Sequence, residues 1–256
     1  MHPSHTARLP GLDILRAAAI ALVLASHYAG FVGHAQTFGA ISRVGWAGVD
    51  LFFVLSGYLI GNQILAPVAR GEAFSLRVFF ARRLLRTLPN YYVILAVYLL
   101  FPHSAISGST AAPVWRFLTF TQNFGLAYGQ TFTHSWSLCI EEQFYVVLPL
   151  AVLALARWGR SARLAWCVVG AAIAAGIGVR GYAWLAHGYD RSTAEVYYSS
   201  FCRSDELLFG VAIAMLRNFH AAQFARLLRH GNALLVAGLS AAVAMLYCLT
   251  NDIPDP

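Results

Sequence analysis

Long apolar runs dominate the chain, and polar positions between them are too sparse to give each helix a water-facing side. A helix crossing bilayer hydrocarbon needs roughly 20 mostly apolar residues, somewhat fewer where flanking residues snorkel. Seven runs qualify as spans: 12–33, 46–66, 88–101, 137–156, 164–186, 197–216 and 233–249. The third is short and continues a basic amphipathic stretch that begins at 74. The first contains Asp13 and Arg16 and has neither the short apolar core nor the small-residue cleavage site of a signal peptide, so it reads as a retained span. The pattern predicts an all-α, polytopic membrane bundle of about seven spans, forming a single domain over 1–256.

Composition removes most other readings. Of 256 residues, 59% are hydrophobic and only 11% charged, with a mean hydropathy of +0.60. A water-soluble globule and a disordered chain are both excluded by that balance. All 18 basic residues other than histidine are arginines, which excludes lysine Schiff bases and Walker-A phosphate binding. Phosphate contacts therefore fall to arginine. The four cysteines, Cys139, Cys167, Cys202 and Cys248, lie in apolar runs without C-x-x-C spacing. That arrangement suggests neither a disulfide framework nor a zinc site, and no metal, permanently bound cofactor or nucleic-acid partner is expected.

Arginine-rich loops stay cytoplasmic, so the arginines outside the spans give the orientation. With the N-terminus inside, 12 of them fall on the cytoplasmic side and three, Arg43, Arg116 and Arg191, outside. Arg16, Arg180 and Arg203 fall within spans. Residues 102–135 then form a long outer loop, and 74–88 a basic stretch at the inner face. The lipid bilayer itself is thus an expected partner. Internal repeats of the kind that mark many transporters are not visible.

Charges inside a membrane are costly, about 2.5 to 3.5 kcal/mol each on insertion scales, which makes such residues functional candidates. They are Asp13, Arg16, His27, Asp50, Glu141, Glu142, Arg180, Arg203, Asp205 and Glu206. Arg16 and His27 share a helix face at different depths, and Asp13 with Arg16 also forms an i,i+3 ion pair. His134, Ser137, Glu141 and Tyr145 fall on one polar stripe of the fourth span, so Glu141 points inward and its neighbour Glu142 elsewhere. His27, Asp50, Glu141, Arg203 and Asp205 are expected at one depth, either as a reactive cluster or as a buried structural network.

A histidine beside a carboxylate can take a proton from a hydroxyl, since the carboxylate fixes the tautomer and stabilises the imidazolium. The same pair can relay protons in a transporter. At the inner end, Arg16 with Arg82, Arg83 and Arg86 offers planar forks suited to phosphate oxygens, or a positive-inside anchor for anionic lipid.

Five segments resemble the membrane-bound acyltransferase-3 family of bacterial O-acylating enzymes. They are LDILRAAAIALVLASHY at 12–28, GVDLFFVLSGYLIG at 48–61, RRLLRTLPNYY at 82–92, HSWSLCIEEQFYVVLPL at 134–150 and RSDELLFGVAIA at 203–214. The resemblance implies transfer of an acyl group, usually acetyl, from acyl-CoA on the cytoplasmic side to a carbohydrate hydroxyl. It implies His27, Glu141 and Arg16 as the catalytic residues and Arg82, Arg83 and Arg86 as the holders of the coenzyme A phosphates. Asp50, Ser56, Ser137, Tyr145, Arg203 and Asp205 are implied as supporting residues, with a covalent acyl-enzyme on Ser56, Ser137 or His27 left open. The family has more spans than this chain shows, and Asn251 to Pro256 read as the start of a loop, so a short member or a fragment is expected. No appended hydrolase-like domain is expected either. The rival readings are a proton-coupled secondary transporter that uses the buried cluster, and a non-catalytic membrane scaffold.

Overall fold

The computed structural model describes residues 10–28, 32–33, 37–101, 112–158 and 161–252. Their regular elements are helices: α1 (Pro10–Tyr28), α2 (Ala40–Val44), α3 (Ala47–Ala69), α4 (Leu76–Leu100), α5 (Val114–Leu118), α6 (Trp136–Trp158), α7 (Ala162–Tyr197), α8 (Ser200–Phe219), α9 (Ala221–Arg229) and α10 (Gly231–Asp252). A helix satisfies its own backbone hydrogen bonds, which is what hydrocarbon requires.

Each of the seven expected segments coincides with one helix, but the count of spans changes. Five helices are long and apolar enough to cross a membrane, or six when α8 and α9 are counted together. The two that fall short alone are explained by their charges. α4 carries Arg77, Arg82, Arg83 and Arg86 in its first half, and α8 opens with Arg203, Asp205 and Glu206. The first span, expected over 12–33, is described as helix over Pro10–Tyr28, and 29–31 lie outside the described residues. One boundary moves. α7 runs on unbroken to Tyr197, so Arg191, expected in an outer loop, lies within that helix.

Two compact units divide the chain, one of Met1–Leu55 with His220–Pro256, the other of Ser56–Phe219. In the first, α1 packs on the turn that leads into α3. A side chain at Gly45 would stand 2.2 Å from the Leu22 carbonyl oxygen, so only glycine permits that approach.

In the second unit α3 and α8 lie against each other along a matched series of positions. Gly57 lets its backbone meet the Leu207 carbonyl, where an added Cβ would stand at 1.9 Å. Gly61 rests on Val211 and Ala214. Further along, Arg217 donates to the Tyr58 hydroxyl and Asn218 to the Asn62 side-chain oxygen at 2.9 Å. α4 and α6 run antiparallel in a second series. As residue numbers rise along α4 from Arg83 through Thr87 to Tyr98, their partners on α6 and the turn before it fall from Tyr145 through Glu142 to His134.

The outer end of that pair is an aromatic core of Tyr91, Leu95, Phe117, Phe120, Phe132 and Cys139. Phe120 and Phe132 both adopt left-handed backbone, φ 55° and 57°, and their rings pack 4.4 and 5.3 Å from the Tyr91 ring. Residues other than glycine hold that conformation at a cost of about 1–3 kcal/mol, which burial of two phenylalanines here offsets.

Candidate functional site

The polar interior of the second unit centres on Glu141, in the second turn of α6. Ser56 of α3 donates a hydrogen bond to one Glu141 oxygen. Tyr145, one helical turn on, lies on the same face of α6, beside that carboxyl. These partners follow from the sequence: i and i+4 share a helix face, and Gly57 beside Ser56 lets α3 approach closely. Arg83 of α4 lies with its guanidinium carbon 4.6 Å from the centroid of the Tyr145 ring, and the charges of Glu141 and Glu142 act on it. Glu142 turns the other way, toward Thr87, and its second oxygen is buried without a hydrogen-bond partner.

This arrangement corrects the expected separation of a reactive outer end from a phosphate-binding inner end. Arg82 and Arg86 are exposed on α4, whereas Arg83 is turned inward against α6. The physical reason is helical phase: residues 82 and 86 lie about 40° apart around the helix, and 83 lies about 60° beyond 86, toward α6. The expected stripe on α6 is also shortened. Glu141 and Tyr145 meet, but His134 sits in a 3₁₀ turn (Thr133–Ser135) and packs against the rings of Tyr98 and Phe132, at 5.6 and 5.1 Å. Ser137 is half-buried in the first turn of α6.

A second charged group joins α7 to α8. Arg180 makes two hydrogen bonds to the Asp205 carboxylate, at 3.1 and 2.6 Å, and a third to the Cys202 carbonyl at 2.6 Å. Arg203 pairs with Glu206 at 2.9 Å, and its guanidinium lies over Trp136 and Tyr197, 5.6 and 5.3 Å from the ring centroids. Asp205 is fully buried. Arg203 and Asp205, expected beside Glu141, thus take their described ion-pair partners from α7 and α8, because oppositely charged groups are available there in hydrogen-bonding geometry.

In the first unit, Arg16 lies 3.4 Å from Asp13 on α1, partly exposed. His27, in the last turn of α1, has Nδ1 2.8 Å from the Val23 carbonyl oxygen. A carbonyl only accepts, so in this contact Nδ1 is the donor. Asp50 lies in the first turn of α3.

Sequence reasoning missed a buried amide network next to Glu141. Gln143 donates to the Phe120 carbonyl at 2.7 Å and to Asn123 at 3.0 Å, and accepts from Ser200 at 2.5 Å. Asn123 donates to Ser200 and to the Tyr198 carbonyl, and Gln122 to the Tyr91 hydroxyl and Ser135. Gln122 and Asn123 are each 1% exposed, although they lie in a connecting segment. The one available signal was Gln143 itself, an amide directly after two carboxylates in an apolar helix. At about 0.5–1.5 kcal/mol per hydrogen bond, the network fixes the rotation of α6 and hence the direction of Glu141.

Residues 9–255 match the family model described as an acyltransferase domain. Over 230 residues the chain is 32% identical to the peptidoglycan O-acetyltransferase OatA of Listeria monocytogenes, a match that covers 83% of this chain and 34% of the relative. The putative peptidoglycan O-acetyltransferase YrhL of Bacillus subtilis is 31% identical over 227 residues, with the same coverage. The O-acetyltransferase OatA of Staphylococcus aureus is 28% identical over 222 residues, covering 81% of this chain and 34% of the relative. The chain thus spans about a third of the length of the curated relatives it matches. No solved structure matches it.

Proposed function

This chain belongs to the membrane-bound acyltransferase-3 family, and from that premise we propose that it is a membrane O-acyltransferase using acyl-CoA, with acetyl as the group moved. The acceptor is a carbohydrate hydroxyl, and the names of the relatives favour a peptidoglycan sugar. The site of action is the bacterial inner membrane, consistent with five to six membrane-length helices and the distribution of arginines.

In the proposed reaction His27 accepts the acceptor hydroxyl's proton as its oxygen attacks the thioester carbonyl. The new C–O bond forms, the C–S bond breaks, and the departing thiolate takes the proton back from the imidazolium. Atoms and charge balance without any further reactant. Arg82 and Arg86, exposed on α4, hold the coenzyme A phosphates. Arg16 contributes a further positive charge on α1. Glu141 is a second proton-handling group.

The observation that carries this reading is the setting of Glu141: a carboxyl within an apolar bundle, held by the Ser56 hydroxyl rather than locked to an arginine. A purely structural acid would be expected to be paired as Asp205 is.

The test is transfer of radiolabelled acetyl from acetyl-CoA by membranes containing the chain, with muropeptide and crude polysaccharide as acceptors. Loss of transfer in His27→Ala at unchanged abundance supports the reading. Wild-type membranes that transport solute with protons and transfer no acetyl would replace it with the transporter.

A further inference from the structure

The three arginines of the α4 basic segment are not equivalent in space. Arg82 and Arg86 face outward, open to an anionic ligand. Arg83 is half-buried and lies 4.6 Å over the Tyr145 ring, itself 4% exposed. Half-buried and stacked on a buried ring, Arg83 is less accessible to a ligand outside the bundle than the two exposed arginines. The ring it covers belongs to the residue one helical turn from Glu141, and Glu141 takes the hydroxyl of Ser56. The remaining nearby acid, Glu142, points to Thr87, one turn beyond Arg83 on the same helix.

From this geometry we infer that Arg83 is a positioning residue for Glu141, acting through Tyr145, and not a ligand of the donor's phosphates. The inference rests on the acyltransferase reading and deepens it by dividing the basic segment between two tasks. Arg83 brings positive charge to the side of Glu141, and its stacking fixes the Tyr145 ring that packs beside that carboxyl. Because the contact is to a ring face and not to a carboxylate oxygen, Glu141 keeps its Ser56 partner and remains able to exchange a proton. Arg82 and Arg86, exposed and with neither stacked on that ring, determine how tightly the donor binds.

The experiment is steady-state kinetics on the full chain in lipid nanodiscs, varying acetyl-CoA, for wild type and for Arg82→Gln, Arg83→Gln, Arg83→Lys and Arg86→Gln. Direct calorimetric binding of coenzyme A accompanies it and reports a folded donor site. Expected is at least a tenfold fall in kcat for Arg83→Gln, with KM for acetyl-CoA and coenzyme A affinity within twofold of wild type. Arg82→Gln and Arg86→Gln raise KM with smaller effects on kcat. Arg83→Lys recovers a substantial part of kcat, because an ammonium also sits over a ring face and carries the charge. The inference is overturned if Arg83→Gln raises KM and weakens coenzyme A binding as Arg82→Gln does, or if Arg83→Lys is as slow as Arg83→Gln. Absence of transfer by the wild-type chain would instead sink the acyltransferase reading, and this inference with it.

Discussion

Two groups of buried charge lie within the unit formed by Ser56–Phe219, and they are built on opposite principles. On α7 and α8, acid meets base directly: Asp205 is gripped by two nitrogens of Arg180, and Glu206 lies 2.9 Å from Arg203 and 3.7 Å from Arg180. Around Glu141 the acid meets a hydroxyl, and the nearest described arginine is stacked on an aromatic ring. In the first arrangement acid and base are paired, and Arg180 ties α7 to the acids of α8. The second leaves a carboxylate whose protonation can change without breaking an ion pair. Burial of charge alone therefore does not mark a reactive site; the kind of partner does.

The sharpest way to break this comparison is to neutralise one acid in each group. Asp205→Asn leaves Arg180 facing a neutral amide in a buried position, and the expected result is a loss of about 3–5 kcal/mol of stability, seen as a lower midpoint of thermal unfolding in detergent. Glu141→Gln is expected to do the reverse: normal abundance and unfolding, with acetyl transfer reduced by about 10²–10⁴, the range for loss of a proton-transfer group. If the two variants exchanged phenotypes, the division between structural and reactive charge would be wrong.

A smaller effect is expected from Gly57→Ala. The added Cβ meets the Leu207 backbone at 1.9 Å, and backbone cannot swing aside, so α3 must lift from α8. The expected cost is about 1–3 kcal/mol, together with reduced transfer, because Ser56 moves with its helix. Smaller again is Ser56→Ala, which removes one hydroxyl from Glu141 and no packing. It should cost about 1 kcal/mol or less in stability and slow transfer several-fold. Complete loss of transfer in Ser56→Ala, with a labelled acetyl recoverable from Ser56 of the wild type, would make that serine a covalent carrier.

The smallest effect is expected in the turn after α3. Hydrogen bonding from the Arg70 guanidinium, at 2.6 and 2.8 Å, holds the Glu72 carboxyl below its ordinary range. A depressed carboxyl adds stability above its unfolded pKa and loses it as pH falls through the folded value. Both side chains are exposed to solvent and salt, so Glu72→Gln should leave the unfolding midpoint unchanged at neutral and at acid pH.

Much of the fold was legible because apolar length is a direct statement about the bilayer. The runs at 46–66, 137–156 and 233–249 became α3, α6 and α10 with small shifts at their ends. Charged helices were harder. Leu88–Leu100 continues the same helix as Arg77–Thr87, and no hydropathy pattern says where such a helix meets the membrane. In the candidate site, Glu141 and Tyr145 were paired by spacing alone. Ser56 was marked only by its motif, because its partner lies 85 positions away. Arg83 was grouped with Arg82 and Arg86 because a run of like charges looks uniform in one dimension, and only its neighbour on α6 separates it. Gln122 and Asn123 were passed over since amides in a connecting segment ordinarily face water, and tertiary packing is what buried them.

The antiparallel series between α4 and α6 also acts as a reading frame. One clasp is cation–π, Arg83 on Tyr145, and the other aromatic, Tyr98 on His134 and Phe132, the two lying 15 positions apart on α4. A single residue inserted within that interval would turn everything beyond it by about 100° and advance it by about 1.5 Å, so that the two clasps could not close together. Substitutions are absorbed locally, but a change of length is not. The segment joining the clasps is therefore fixed in number even where its individual side chains are free to vary.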